Sequence, residues 1–112
     1  MTPEQFVDGL VVSVVDENCA LYRDLLVNNI QAKDPYWSRA GTLFVNLSVE
    51  QQEVLLEIVR QASIDTISNV LGIIDGSSYL DGSGTVLELR GNGQDLSGDL
   101  QSLFLARTES GG

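Results

Sequence analysis

The longest apolar pattern in the chain runs from Ser48 to Asp75 and predicts one long central helix. Ser48 is followed three residues later by Gln51, a capping-box arrangement that pairs two backbone donors at a helix start. Gly76 comes directly after the pattern, and glycine readily takes the left-handed conformation that ends many helices. Because apolar residues occupy nearly every face, we expect other helices to surround this one, most closely along its second half.

Two sets of apolar positions share the predicted central helix. One set recurs at spacings of three and four residues, and the other fills the neighbouring faces, so both are expected to be covered. The first set is Leu55, Val59, Ala62, Thr66, Val70 and Ile73, and the second is Val54, Ile58, Ile64, Ile67, Leu71 and Ile74.

A first helix is predicted from Pro3 to about Asn28, because Thr2 and Gln5 form a capping box around a proline at the first helical position. Asn18 lies within its apolar stripe, where the amide either pairs inside the core and sets the helix register or reaches water at the stripe's edge. The stripe is Val7, Val11, Val14, Asn18, Leu21 and Leu25, with alternating spacings of four and three.

Asp34 and Pro35 start the helical pattern again, as the cap and first residue of a short second helix. Tyr36 and Trp37 open this helix. An exposed aromatic pair can anchor a protein contact, because Trp and Tyr are enriched in interface hot spots. A chain with a single Trp more often places it in the core, however, and we favour that position over an interface for Trp37.

The segment from residue 76 to residue 98 is rich in glycine, which indicates turns. Within it, residues 85–90 alternate and contain β-forming side chains, so they predict one strand, which could pair with residues 78–80. A last helix follows, with Asp95 or Ser97 as its cap. Residues 108–112 form a polar tail that we expect to be flexible.

These elements predict a single helical domain over residues 1–107. The expected fold is mainly α, with about four helices around the long central helix and a small β-hairpin or single strand before the last helix. For a chain of 112 residues and 12.1 kDa, size scaling gives a folded surface of about 6,000 Å².

The composition is acidic, with six Lys and Arg against sixteen Asp and Glu and a formal net charge of −10. This charge disfavours nucleic acid as a partner, and it suits either simple solubility or a basic protein partner. No secretory leader and no apolar run of membrane-spanning length are found, so we expect a cytoplasmic protein without a membrane partner.

The sequence offers little for metal or cofactor chemistry, and no cofactor is expected. It has no His and a single cysteine, Cys19, which excludes a zinc site and a His-activated nucleophile. An EF-hand loop counted from Asp75 would place Leu80 and Val86 where Gly and Glu are required. The glycines of the 76–98 segment also lack the Lys-Ser/Thr pair or third glycine of phosphate-binding loops.

Asp65 and Asn69 are the most conspicuous polar pair inside the central helix, four residues apart on one face. They could bind a ligand or act in catalysis if they lie in a pocket. We favour a core hydrogen-bond network or a stripe facing water. One specific hypothesis is that Asp65 accepts backbone hydrogen bonds from the glycine-rich segment.

The leading functional hypothesis is a non-enzymatic protein that acts by protein–protein interaction and self-associates, with a homodimer favoured. The first and central helices have more apolar faces than their short neighbours can cover. A second hypothesis is an acidic inhibitor of a basic partner, in the manner of immunity proteins and antitoxins. A third is a small ligand-binding or enzymatic domain that uses Asp65 and Asn69.

Overall fold

The computed structural model of the chain describes residues 1–28 and 33–110. Within them lie four helical rods and a two-stranded antiparallel hairpin, so the predicted mainly helical fold is confirmed. The last helix continues past Thr108, where the predicted tail begins, and residues 111–112 lie outside the described part. In chain order the elements are α1 (Pro3–Leu10), a π-helical stretch (Val11–Asp16), α2 (Glu17–Asn28), α3 (Pro35–Val45), α4 (Val49–Asp75), β1 (Arg90–Gly91), β2 (Gln94–Asp95) and α5 (Leu100–Ser110).

Local capping contacts set the ends of the long helices, as predicted. Thr2 and Gln5 form a reciprocal capping box at the start of α1, and Ser48 and Gln51 form another at the start of α4. At the other end of α4, Gly76 has a φ of 86°, in the left-handed region. Each contact spans only a few residues, which is why the sequence alone reveals it.

The first helical rod is unbroken, but its core-facing side differs from the prediction. A π-helical turn is wider than an α-helical one, so the stretch between α1 and α2 shifts the residues that face the core. Val7, Val11 and Val15 are buried at intervals of four residues. The stripe predicted from the sequence runs from Val11 to Val14 and on to Leu21, but in the structure Leu21 is 51% exposed. Leu21 is therefore the position of the stripe that the prediction places wrongly, whereas Asn18 and Leu25 are half-buried.

The main core lies where α1, the π-helical stretch, the second half of α4 and α5 meet. α4 is most deeply buried in its second half, as predicted. The buried residues of this core are Val7, Val11, Val15, Ile64, Leu71, Leu100 and Phe104.

The helices do not surround α4 as the sequence led us to expect. Of the first apolar set, Ala62 and Thr66 are exposed, and Val70 is 50% exposed. The buried positions are instead Ile64 and Leu71, from the second set. The reason is length, because α3 and α5 have 11 residues each and α4 has 27. At about 1.5 Å per residue, neither short helix spans even half of the long one.

A smaller cluster joins α2, α3 and the start of α4. Asp34 caps α3 as predicted, because its Oδ1 accepts the backbone N–H of Tyr36 at 2.9 Å. Leu26 and Phe44 are buried. The carbonyl of Phe44 accepts a hydrogen bond of 2.9 Å from Nε2 of Gln52, which ties the end of α3 to the first turn of α4.

The start of α5 is capped by a residue of α4, and the predicted caps are wrong. The backbone N–H of Gly98 donates to Asp75 Oδ1 at 2.7 Å, and that of Gln101 donates to Asp75 Oδ2 at 2.8 Å. Asp95 instead accepts hydrogen bonds from the backbone and hydroxyl of Ser97. These two residues form a turn ahead of the helix.

The hairpin lies later in the chain than predicted. The sequence pattern pairs residues 85–90 with residues 78–80, but the observed ladder joins β1 to β2. Asn92 and Gly93 form the two-residue turn between them, with φ values of 50° and 83°. Tight hairpin turns of this kind require residues in the left-handed backbone conformation, which Asn and Gly adopt readily.

The molecule is elongated, with extents of 47 × 33 × 23 Å and a radius of gyration of 17.2 Å. A compact domain of this length has a radius of gyration of about 13 Å. The surface of 7425 Å² is about 1,400 Å² larger than the size scaling gives. The fold therefore leaves more surface uncovered than a compact monomer does.

Candidate functional site

The first half of α4 presents an apolar patch to solvent. Val54 is 52% exposed and Ile58 is 58% exposed, one turn apart on the same face. Together with the half-buried Leu47 and Leu55 they line a shallow depression of about 390 Å³. We call these four residues the apolar patch.

The patch is uncovered because the short helices pack elsewhere on α4. α3 ends at Val45 and meets the start of α4 through Gln52. α5 packs on the opposite end, where Gln101 Nε2 donates to the buried Ser68 Oγ at 3.2 Å. The sequence could not reveal this surface, because Val54 and Ile58 follow the same apolar pattern as residues that are buried.

A second concave surface lies between the first helical rod and α4. It encloses about 380 Å³, and its lining contains no charged side chain. The side chain of Asn18 is half-buried here and forms no hydrogen bond with another side chain of the described residues, which favours the position at the edge of the stripe over the pairing inside the core. The groove is lined by Val14, Asn18, Tyr22, Val59, Ala62, Ser63, Thr66 and Ile67.

The predicted aromatic anchors belong to a three-ring cluster between α2 and α3. Trp37 is half-buried and packs edge to face against Tyr22, with ring centroids 5.7 Å apart. Tyr36 also packs edge to face against Trp37, with ring centroids 5.0 Å apart, and is itself 61% exposed. Trp37 thus joins two helices, while Tyr36 presents most of its ring to solvent.

Asp65 and Asn69 both face solvent rather than the core. The Asp65 carboxylate accepts a hydrogen bond of 2.8 Å from Nε2 of Gln61, one turn earlier on the same helix. The hypothesis that Asp65 holds the glycine-rich segment is wrong, because Asp75 makes those contacts. The pair forms part of a polar stripe facing water, and neither residue lies in the apolar patch or the groove beside Asn18.

Most of the basic side chains are already paired with acids of the same chain. The shortest contacts join Arg107 Nε to Asp8 at 2.8 Å and Arg60 to Asp16 at 2.9 Å. The hydrogen bond that Arg60 donates to the Asp16 carboxylate raises the pKa of Arg60 above its usual value. The remaining acids therefore dominate the surface potential. Within the described residues, ion pairs join Arg23 to Glu53, Arg60 to Asp16, Arg90 to Glu88 and Arg107 to Asp8.

The described residues bring together no group of three His, Cys, Asp or Glu side chains that could hold a metal ion. Cys19 is half-buried and packs against the core. In the same part of the chain, no helix combines the length and apolar character needed to cross a membrane. The feature that stands out among the described residues is exposed apolar surface.

Comparisons of the chain with protein-family models, curated proteins and solved structures found no match. Arguments about function therefore rest on the surfaces described above.

Proposed function

We propose that this protein acts by contact with other proteins and that it self-associates through the apolar patch. The observation that carries the proposal is the exposure of Val54 and Ile58 on a fully formed helix. Isolated exposed apolar residues are common on monomers, but contiguous apolar surface with a polar margin marks contact sites. Here the margin consists of Glu50 and Gln51.

The chain as a whole exposes more surface than one such contact would cover. The chain exposes about 1,400 Å² more than a compact monomer, and a standard interface removes about 800 Å² from each partner. Burying the exposed halves of Val54 and Ile58 in two copies contributes roughly 4 kcal/mol before the entropy of association is subtracted. A micromolar dissociation constant corresponds to about 8 kcal/mol, so in this proposal further side chains at the contact supply the rest.

The net charge of −10 opposes self-association, because two copies repel each other. The lining of the patch includes one charged residue, Glu50. Added salt screens the repulsion between copies and leaves the apolar contact in place. Self-association should therefore strengthen as the salt concentration rises.

Sedimentation equilibrium of the wild-type chain and the Ile58→Asp variant tests the proposal. Ile58→Asp places a charge at the centre of the patch, and the average mass should fall relative to wild type. Ser102→Asp is the matched control, because it adds the same charge at an exposed position on α5. If Ile58→Asp and Ser102→Asp associate like the wild-type chain, the patch is not the contact.

A basic protein partner is the second candidate, and the arrangement of charge favours it specifically. In the described part of the chain, at least four of the six basic residues are held in ion pairs, and the sixteen acids outnumber all the basic residues by ten. A complex of this kind is steered by opposite charges and weakens as salt rises, contrary to self-association. Binding to a basic protein measured at low and high salt separates the two functions.

A further inference from the structure

The segment before the hairpin has the side-chain pattern of a strand without a strand partner. Val86 is 91% exposed, and Glu88 and Arg90 are also exposed. Between them, Leu87 is 38% exposed and Leu89 is half-buried against the core. Leu89 thus faces the protein between two exposed side chains, and Leu87 is much less exposed than Val86, as on the inner face of a half-buried strand.

The backbone of this segment leaves one edge open. The N–H of Leu89 donates to Ser97 Oγ at 3.2 Å, and its carbonyl accepts the N–H of Leu96 at 2.8 Å. Both groups of Leu89 therefore face the β2 side. Because backbone groups alternate in direction along a strand, those of Glu88 and Arg90 face the opposite side.

The groups on the open edge find no partner within the described part of the chain. The backbone N–H and carbonyl groups of residues 86–88 make no hydrogen bond there. An open strand edge is a template for pairing with another strand. A hairpin of two residues per strand is also marginal alone and gains stability from a third strand.

We propose that residues 86–90 form a second contact surface, an open strand edge that pairs antiparallel with the same edge of a second copy, with the two-fold axis at Leu89. The proposal rests on the self-association proposed above, but it uses residues separate from the apolar patch. An isologous contact of this kind joins identical surfaces, so each copy supplies the same edge.

Charge complementarity selects this register. With the axis at Leu89, Glu88 of each copy lies opposite Arg90 of the other, which gives two opposite-charge pairs across the strands. With the axis at Glu88, two carboxylates would lie opposite each other and repel. The two side chains already lie on one face, because Arg90 Nε contacts Glu88 Oε1 at 3.0 Å within the chain.

The register also accommodates the neighbouring side chains. It places Leu87 of one copy opposite Gly91 of the other, where the lack of a side chain leaves room for the leucine. Glu88 and Arg90 exchange backbone hydrogen bonds in both symmetry-related pairs, which gives four bonds across the axis. The edge of one copy is therefore complementary to the same edge of a second copy of this chain.

Two different isologous surfaces on one chain assemble more than two copies. The wild-type protein should then exceed a dimer at high concentration. Removing the apolar patch with Ile58→Asp should leave a dimer held by the strand edge. Removing the edge should leave a dimer held by the patch.

Charge reversal with mixing tests the edge. Glu88→Arg gives a copy with two basic residues at the edge, and Arg90→Glu gives a copy with two acidic ones. Each variant alone should associate more weakly through the edge, because both cross-strand pairs become repulsive. The dissociation constant of the edge contact should rise about tenfold. An equimolar mixture of the two variants restores opposite charges in both pairs and should associate at least as well as wild type.

Sedimentation velocity of the two variants alone, of their mixture and of Ile58→Asp gives the decisive comparison. Loss in each single variant with recovery in the mixture supports the edge. Unchanged association of the single variants, or loss without recovery in the mixture, overturns it. The strand-edge contact and the patch contact can fail separately. An Ile58→Asp variant that associates like wild type overturns the contact at the patch and leaves the proposed strand edge in place. A wild-type chain that stays monomeric overturns both.

Discussion

The carboxylate of Asp75 accepts the backbone N–H of Gln101 at 2.8 Å, which joins the last residue of α4 to the first turn of α5. The other carboxylate oxygen accepts the N–H of Gly98. An acid at a helix C-terminus is unfavourable for its own helix, because the helix dipole is negative there. At Asp75 this cost is offset by the positive N-terminal end of α5, so one side chain fixes the junction of two helices.

The first prediction concerns this junction. Asp75→Ala removes both backbone contacts and should lower the free energy of unfolding by about 1–2 kcal/mol, the usual range for the loss of a helix cap. Asp65→Ala is the matched control, because Asp65 is exposed on the same helix and bonds to Gln61 alone. That variant should stay within about 0.5 kcal/mol of wild type. Urea denaturation of both variants measures the difference, and equal losses would refute the role of Asp75.

The second prediction concerns Gly72, where a Cβ atom would lie 2.9 Å from the amide of Gln101. That amide is held by Ser68 and Ser77. Alanine is favoured over glycine inside a helix by about 0.5–1 kcal/mol, so Gly72→Ala should stabilise the protein only when the amide is absent. A double-mutant cycle with Gln101→Ala measures this coupling.

We expect Gly72→Ala to be about 1 kcal/mol more favourable in the Gln101→Ala background than in the wild-type background. Gly9→Ala serves as the control, because a Cβ atom there meets nothing within 4 Å. It should stabilise α1 equally in both backgrounds. Independent, additive effects of Gly72→Ala and Gln101→Ala would show that the close approach does not constrain the junction.

The third prediction is a dependence of stability on pH at Asp95. Hydrogen bonds from the hydroxyl and then the backbone N–H of Ser97 hold the pKa of Asp95 below its ordinary value of 3.8. A carboxyl whose pKa is lowered by folding stabilises the protein above the unfolded pKa, and the effect is lost as the pH falls through the folded pKa. Asp95→Asn should therefore be less stable than wild type near neutral pH.

The stability difference between wild type and Asp95→Asn should shrink as the pH falls below 3.8. Thermal unfolding followed by circular dichroism over a pH series measures it. A difference that stays constant across the acidic range would show that the Asp95 carboxylate is not stabilised by Ser97.

The fourth prediction concerns the ring cluster between α2 and α3. Tyr22→Ala removes the edge-to-face partner of Trp37 and should cost about 2 kcal/mol of stability and shift Trp emission to longer wavelength. Tyr36→Ala removes a ring that is 61% exposed and should cost less than half as much. Fluorescence of the single Trp reports directly on both variants. A larger effect of Tyr36→Ala would indicate that Tyr36 is the structural partner.

Local features of the fold could be predicted from the sequence. The starts of α1 and α4 depend on contacts such as that between Ser48 and Gln51, which lie within one turn. The end of α4 depends on the conformational freedom of Gly76. Such signals are short in sequence and do not depend on how the helices pack.

Packing was harder to predict, because it depends on contacts distant in sequence. Asp75 bonds to a residue 26 positions later, and no local pattern shows that pairing. Leu21 faces solvent because the π-helical stretch shifts the helix register, although its spacing suits the core. Val54 and Ile58 are exposed because α3 packs mainly against α2 and α5 packs against the second half of α4. The apolar patch thus arises from helix lengths and packing directions.

Sedimentation equilibrium of the wild-type chain from about 1 to 100 µM, at low and high salt, tests the central claim most directly. We predict that the average mass rises with concentration above the monomer mass of 12.1 kDa, and that it rises further at high salt. A mass that stays at 12.1 kDa throughout this range at both salt concentrations would contradict the account.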